Sequence, residues 1–118
     1  MTDISVTDMS ALTPAVFHVL LALSAGDRHG YGIQKDVLEH TQDRVRLGPG
    51  TLYGTLQRLM EAGWVEEAGP PGADVDQRRR YYRMTRDGRE ALRLEVDRLG
   101  EVLDVARAHR IQPRGAKG

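Results

Sequence analysis

The sequence predicts a mainly α fold with a small β-hairpin, a winged helix-turn-helix followed by a C-terminal dimerisation helix. Three observations carry this expectation. Apolar residues recur at helical spacing in four separate stretches. Proline and glycine fall where those stretches begin and end. A Gly69-Pro70-Pro71-Gly72 tip, which neither a helix nor an inner strand tolerates, separates two short runs that alternate in character.

The elements follow in order. Thr13-Pro14 places a capping residue before proline at the first helical position. Val16, Leu20 and Leu23, widened by Phe17 and Leu21, give a first helix to about Ser24, closed by Gly26. A second helix runs from Gly30 to about His40, with Ile33 and Val37 on its inner face. Between Thr41 and Gly48, Val45 and Leu47 anchor a polar linker. Pro49 opens a third helix whose apolar face is Leu52, Leu56, Leu59 and Met60, and Gly63 stops it. Trp64 to Glu67 and Arg79 to Met84 read as the two hairpin strands. In the second of these, Tyr82 and Met84 share a face with Arg80, opposite Tyr81, Arg83 and Arg79. Thr85 caps a last helix that continues to about Arg110.

With 118 residues the chain is one domain with a modest core, and a second copy is a natural cover for any apolar surface left over. Cysteine is absent, which excludes disulfides and thiolate metal sites and fits a reducing cytoplasm. The longest apolar stretch, Ala15 to Leu23, is interrupted by His18, is too short to cross a bilayer, and follows Asp3 and Asp8 rather than basic residues. A cytoplasmic protein without a membrane partner is expected. The formal net charge of zero conceals an uneven distribution. Residues 1–43 set two basic groups against six acids, whereas residues 44–90 set nine arginines against seven acids. Six of those arginines lie between Arg78 and Arg89, a local stripe suited to a polyanion.

His29-Gly30-Tyr31-Gly32-Ile33, Gly50-Thr51-Leu52-Tyr53 with Leu56 and Arg58-Leu59, Gly63-Trp64-Val65, and Tyr81-Tyr82-Arg83-Met84-Thr85 with Gly88-Arg89 stand in this order along the chain. In these residues the chain resembles the PadR family of winged helix-turn-helix transcriptional regulators, across roughly residues 12–108. Its short, single C-terminal helix is similar to the family's smaller subtype. The resemblance implies a homodimeric repressor that occupies an operator and leaves it when a small aromatic or amphiphilic effector binds. Gly32, after Tyr31, departs from the larger residue that many relatives carry there.

The outward face of the third helix presents Gly50, Gly54, Gln57, Arg58 and Glu61, with Thr51 and Tyr53 on its flanks. Gly54 lets backbone approach a duplex, Gln57 suits an adenine edge, and Arg58 suits a guanine or a phosphate. Thr51 and Tyr53 suit phosphates near the positive end of the helix dipole. Arg78, Arg79 and Arg80 repel one another until a phosphate backbone relieves them. Otherwise they form a solvated hairpin edge that discourages aggregation. Tyr31 either braces the second helix against the third or donates to a phosphate; bracing is the reading preferred here.

Leu92, Val96, Leu99, Leu103 and Ala106 advance by steps of 4, 3, 4 and 3, a dimerisation seam. Leu94, Val102 and Val105 widen it, and Glu95, Asp97, Arg98, Glu101 and Asp104 are expected on the solvated side. Full burial of each Leu or Val contributes roughly 1.5–3 kcal/mol. The same helix is also expected to fold back on Val16, Leu20 and Leu23. Trp64 is expected to pack beneath the hairpin.

No cofactor is expected. Asp36 and His40, four apart, fall short of a metal site in a chain with four scattered histidines. No serine, cysteine or second acid-base group accompanies His29 at a recognisable spacing, so no enzyme is expected. The rival reading is a winged-helix adaptor for other proteins, which needs an apolar third-helix face. The expected organisation is a flexible arm over residues 1–11, a DNA-binding domain over 12–84, a dimerisation helix over 85–110 and a disordered tail over 111–118.

Overall fold

The computed structural model describes residues 12–69 and 79–114. The expected N-terminal arm, the hairpin tip beyond Gly69 with Arg78, and the end of the expected tail lie outside the described residues. The elements are α1 (Pro14–Leu23), β1 (Arg28–His29), α2 (Gly30–His40), α3 (Pro49–Glu61), β2 (Val65–Ala68), β3 (Tyr81–Met84) and α4 (Arg86–Ala108).

Three helices begin on a side chain that satisfies an otherwise orphaned backbone donor. The Val16 N–H donates to Thr13 Oγ1 at 3.2 Å, the Gly32 N–H to His29 Nδ1 at 3.1 Å, and the Gly88 N–H to Thr85 Oγ1 at 3.0 Å. At α3 the cap is Gly48, which supplies no side-chain acceptor. Gly63, at φ 81°, turns the chain after α3 in a conformation costly for any other residue.

Val19, Leu20 and Leu23 of α1, Ile33 and Val37 of α2, and Leu52, Leu56 and Leu59 of α3 converge in one core. Trp64, Val65, Tyr82 and Met84 cover it from the sheet, so Trp64 packs inward as expected. Leu47 is buried and Val45 partly so, which pins the linker between α2 and α3. Thr55, a residue that the apolar pattern passed over, is also fully buried.

The sheet has three strands in the order β1-β3-β2, all antiparallel, rather than the two of a bare hairpin. Two residues are too few to show a period, so β1 left no sequence signal. It exists because His29 and Arg28 meet Tyr81 and Tyr82 across the fold. The hairpin strands are also displaced from their expected limits. Trp64 donates its N–H to the Leu59 carbonyl at 2.9 Å, finishing α3, so pairing starts at Val65 opposite Met84. Arg79 and Arg80 precede β3. Within β3 the alternation holds, with Tyr82 and Met84 buried and Arg83 exposed.

α4 corrects two expectations. Leu92, placed in the dimer seam by its spacing, is only 6% exposed and belongs to the core of its own chain. Glu95, expected in solvent, is buried. Its carboxylate accepts from Arg98 Nε and Nη2 at 3.0 and 2.9 Å and from the Leu12 backbone. The hydrogen bonds from Arg98 hold its pKa below the usual carboxylate range against the opposing effect of burial. Both corrections have one cause: the first half of α4 lies against α1, and spacing along a helix does not say which neighbour a stripe meets. The helix ends at Ala108, two residues before Arg110, which adopts φ 67°.

Candidate nucleic-acid interface

The face of α3 turned from the core carries the residues that the sequence placed there. Gly50, Thr51, Gln57, Arg58 and Glu61 are exposed, Tyr53 is half exposed and Gly54 is intermediate. A side chain added at Gly50 would meet nothing, and one at Gly54 would only touch the tip of Arg58. Glycine at these two positions therefore answers no packing need among the described residues. Gln57 Nε2 donates to Glu61 Oε2 at 3.1 Å, which ties the third turn of this face to the fourth. Arg58 makes no salt bridge among the described residues.

Tyr31 is not a brace. It is 66% exposed, and its ring stacks on His29 with centroids 6.3 Å apart and planes 16° from parallel. The brace is Tyr53, whose phenol lies against Gly30 so closely that a β-carbon there would collide with it. The periodicity of α2 could not show this, because the contact depends on a missing side chain. Gly32 has a different status: a β-carbon there would meet Arg28 and His29 at ordinary van der Waals distances.

A cleft of about 580 Å³ opens beside α3, lined by His29, Gly30, Tyr31, Tyr53, Arg79, Arg80 and Tyr82. Arg79 Nη1 lies 2.7 Å from His29 Nε2, and Arg80 Nη1 lies 3.4 Å from Glu67 Oε2. Burial, and secondarily Arg79, depress the His29 pKa. Tyr82 beneath them has its hydroxyl pKa raised, chiefly by burial. A smaller cleft of about 250 Å³ continues past Tyr31 to Gln34, Lys35 and Arg46. Lys35 and Arg46 are exposed cations on this side that the sequence reading did not single out, being isolated along the chain.

The arginine stripe is thinner in space than along the chain. Arg83 is shared by Asp27 and Glu66 at 3.4 Å each, and Arg89 donates to the Ser24 carbonyl at 3.4 Å. Among the described residues, the arginines of the stripe that face the cleft are Arg79 and Arg80. Asp36, half of the rejected metal pair, accepts from Arg28 Nε at 2.9 Å.

Beyond Leu92, α4 leaves Val96 and Leu99 exposed and Leu103 and Ala106 half-buried. Leu94, Val102 and Val105 are exposed as well. Among the described residues no helix is long and apolar enough to cross a membrane.

Three helices, a small antiparallel sheet with β1 at one edge, and a helix packed across α1 define a winged helix-turn-helix domain. Residues 19–94, more than half of the chain, match the family described as transcriptional regulator PadR-like. This chain belongs to that family. It superimposes on a PadR family transcription regulator from Clostridium difficile with TM-score 0.67 at 19% identity, covering 82% of this chain and 98% of that one. It also superimposes on Bordetella bronchiseptica BpsR with TM-score 0.60 at 26% identity, covering 81% and 61%. An uncharacterised protein of the Streptomyces fradiae transposon TN4556 is 38% identical over 78 residues, 66% of this chain. The shared segment is 21% of that relative's length. The family is one of transcriptional regulators.

Proposed function

We propose that this chain is a sequence-specific, DNA-binding transcriptional repressor. It acts as a homodimer on a pseudo-palindromic operator and is released by a small aromatic or amphiphilic effector. The observation that carries the reading is the outward face of α3. Gly50, Thr51, Tyr53, Gly54, Gln57 and Arg58 stand clear of the core there, beside a cleft edged by Arg79 and Arg80. An adaptor would need an apolar face in that place, and apart from half-exposed Tyr53 this one is small or polar.

In this reading α3 enters the major groove by its first turns, where uncapped N–H groups and the helix dipole favour phosphate. Gln57 and Arg58 read base edges, while Tyr31, Thr51, Tyr53 and the arginines from Arg78 to Arg80 hold backbone phosphates. The stripe of exposed Val96 and Leu99 with half-buried Leu103 and Ala106 pairs with its copy and sets two α3 helices roughly 34–36 Å apart. Effector release works by differential affinity: the ligand must favour a dimer whose helix spacing misfits the half-sites. BpsR, a structural neighbour, is described as having its DNA binding regulated by 6-hydroxynicotinic acid.

Electrophoretic shifts against the DNA upstream of its own coding region, with salt and aromatic compounds varied, test the reading. A retarded complex that weakens steeply with salt and is lost in Arg58→Ala supports it. No retardation at low ionic strength overturns it.

A further inference from the structure

His29 faces two hydrogen-bonding demands that one neutral ring cannot meet. A neutral imidazole has one N–H and one lone pair. The lone pair of Nδ1 is occupied by the Gly32 N–H at 3.1 Å, closing the N-terminus of α2. Nε2 must then carry the hydrogen. The atom 2.7 Å from it, Arg79 Nη1, carries only hydrogens, because a guanidinium never accepts. Exchanging the tautomer repairs this contact and sets N–H against N–H at the helix cap instead. A second proton on the ring makes the Arg79 contact worse, and burial with the charge of Arg79 already disfavours it. Every protonation state leaves one donor facing another.

What would relieve the pair is an acceptor placed between them. The polar side chains around the gap can all donate. Arg80, Tyr31, Tyr53 and Tyr82 line the same cleft, and among the described residues no carboxylate does. Glu67, on the neighbouring strand, is held by Arg80 at 3.4 Å. The cleft lies between Tyr53 of α3 and the residues that lead into β3, where the proposed DNA-binding reading puts the duplex backbone between groove and hairpin.

We propose that His29 and Arg79 form a two-donor seat for a single DNA backbone phosphodiester, with His29 donating from Nε2 as a neutral group. The inference rests on the DNA-binding reading and adds a residue and a protonation state to it. His29 couples two tasks through one ring. Capping α2 through Nδ1 fixes the tautomer, and the tautomer makes Nε2 a phosphate donor. Arg79 swings aside by the width of one oxygen when the phosphate arrives.

The test compares the full chain with His29→Asn and Arg79→Met for binding to a short duplex across a range of salt. Asparagine retains a capping acceptor for α2 and removes the Nε2 donor. His29→Asn should weaken binding about tenfold, the worth of one hydrogen bond to a charged acceptor, with the salt slope unchanged because a neutral donor displaces no counterion. Arg79→Met should reduce the slope by about 0.9. Imidazole ¹⁵N resonances of the unmodified chain give a second measurement that needs no variant. A duplex should shift His29 Nε2 and leave it protonated, with Nδ1 still an acceptor. Unchanged affinity of His29→Asn, a loss of slope in that variant, or saturation by inorganic phosphate as tight as by duplex each overturns the proposal. Failure of the unmodified chain to bind any duplex overturns the DNA reading itself, and is distinguishable because no variant is involved.

Discussion

The phenol of Tyr53 fills the space over Gly30 that any side chain would need, so the spacing of α2 and α3 depends on a residue that has none. The contact joins the first residue of one helix to the exposed flank of the next. Because Tyr53 is half exposed, it can rotate away if challenged.

Gly30→Ala should therefore cost little stability, under about 1 kcal/mol, while displacing the Tyr53 hydroxyl from the interface. Duplex affinity should fall by more than the stability does. Urea unfolding and fluorescence anisotropy on the same preparation check the two effects separately. A large loss of stability with unchanged affinity would mean that the contact only supports the fold.

Gly88 makes the opposite case. In the first turn of α4, a β-carbon would strike the Trp64 carbonyl, which already accepts the Thr85 N–H at 3.0 Å. Backbone cannot rotate aside as a phenol does. Gly88→Ala should destabilise the protein by about 1–3 kcal/mol, the cost of overpacking, seen as a lower urea midpoint at constant slope.

Leu92 and Leu99 lie one heptad apart on α4 and should answer different measurements. Leu92→Ala removes a core side chain and should cost about 2–5 kcal/mol in unfolding experiments. Leu99→Asp, at a position 40% exposed in the single chain, should leave the helical circular dichroism intact and shift sedimentation from dimer towards monomer. A dimer that survives Leu99→Asp together with Leu103→Asp would place the interface elsewhere.

His18 and His29 both titrate below their ordinary value of 6.5, chiefly because they are partly buried, with His40 and Arg79 adding repulsion. As pH falls the unfolded chain takes up these protons first. The associated stability is complete above 6.5 and is lost as pH drops through the lower native values. Thermal unfolding should show a midpoint that declines on acidification through this window. His29→Asn should flatten part of the decline, and an unchanged profile would assign it to His18.

Much of the fold was legible because its signals are local. Thr13 and Thr85 each cap the helix predicted behind them, Pro49 opens α3, and Gly63 ends it. Leu52, Leu56 and Leu59 lie inward, leaving Gly54, Gln57 and Arg58 on the other side, as a 100° rotation per residue requires. The outward face of α3, the principal part of the candidate interface, could thus be read residue by residue. The cleft beside it could not, since His29 and Arg79 stand 50 residues apart and neither belongs to a repeating pattern.

The sequence by itself determined where helices start and stop and which side of α3 is apolar, because capping, backbone restriction and periodicity act within a few residues. Only the tertiary structure decided that Leu92 and Glu95 turn into their own chain, that β1 joins the sheet, that Tyr53 rather than Tyr31 steadies α2, and that a histidine cap meets an arginine. Each of those is a pairing between distant segments, and its energy depends on what happens to lie opposite once the chain has closed on its core.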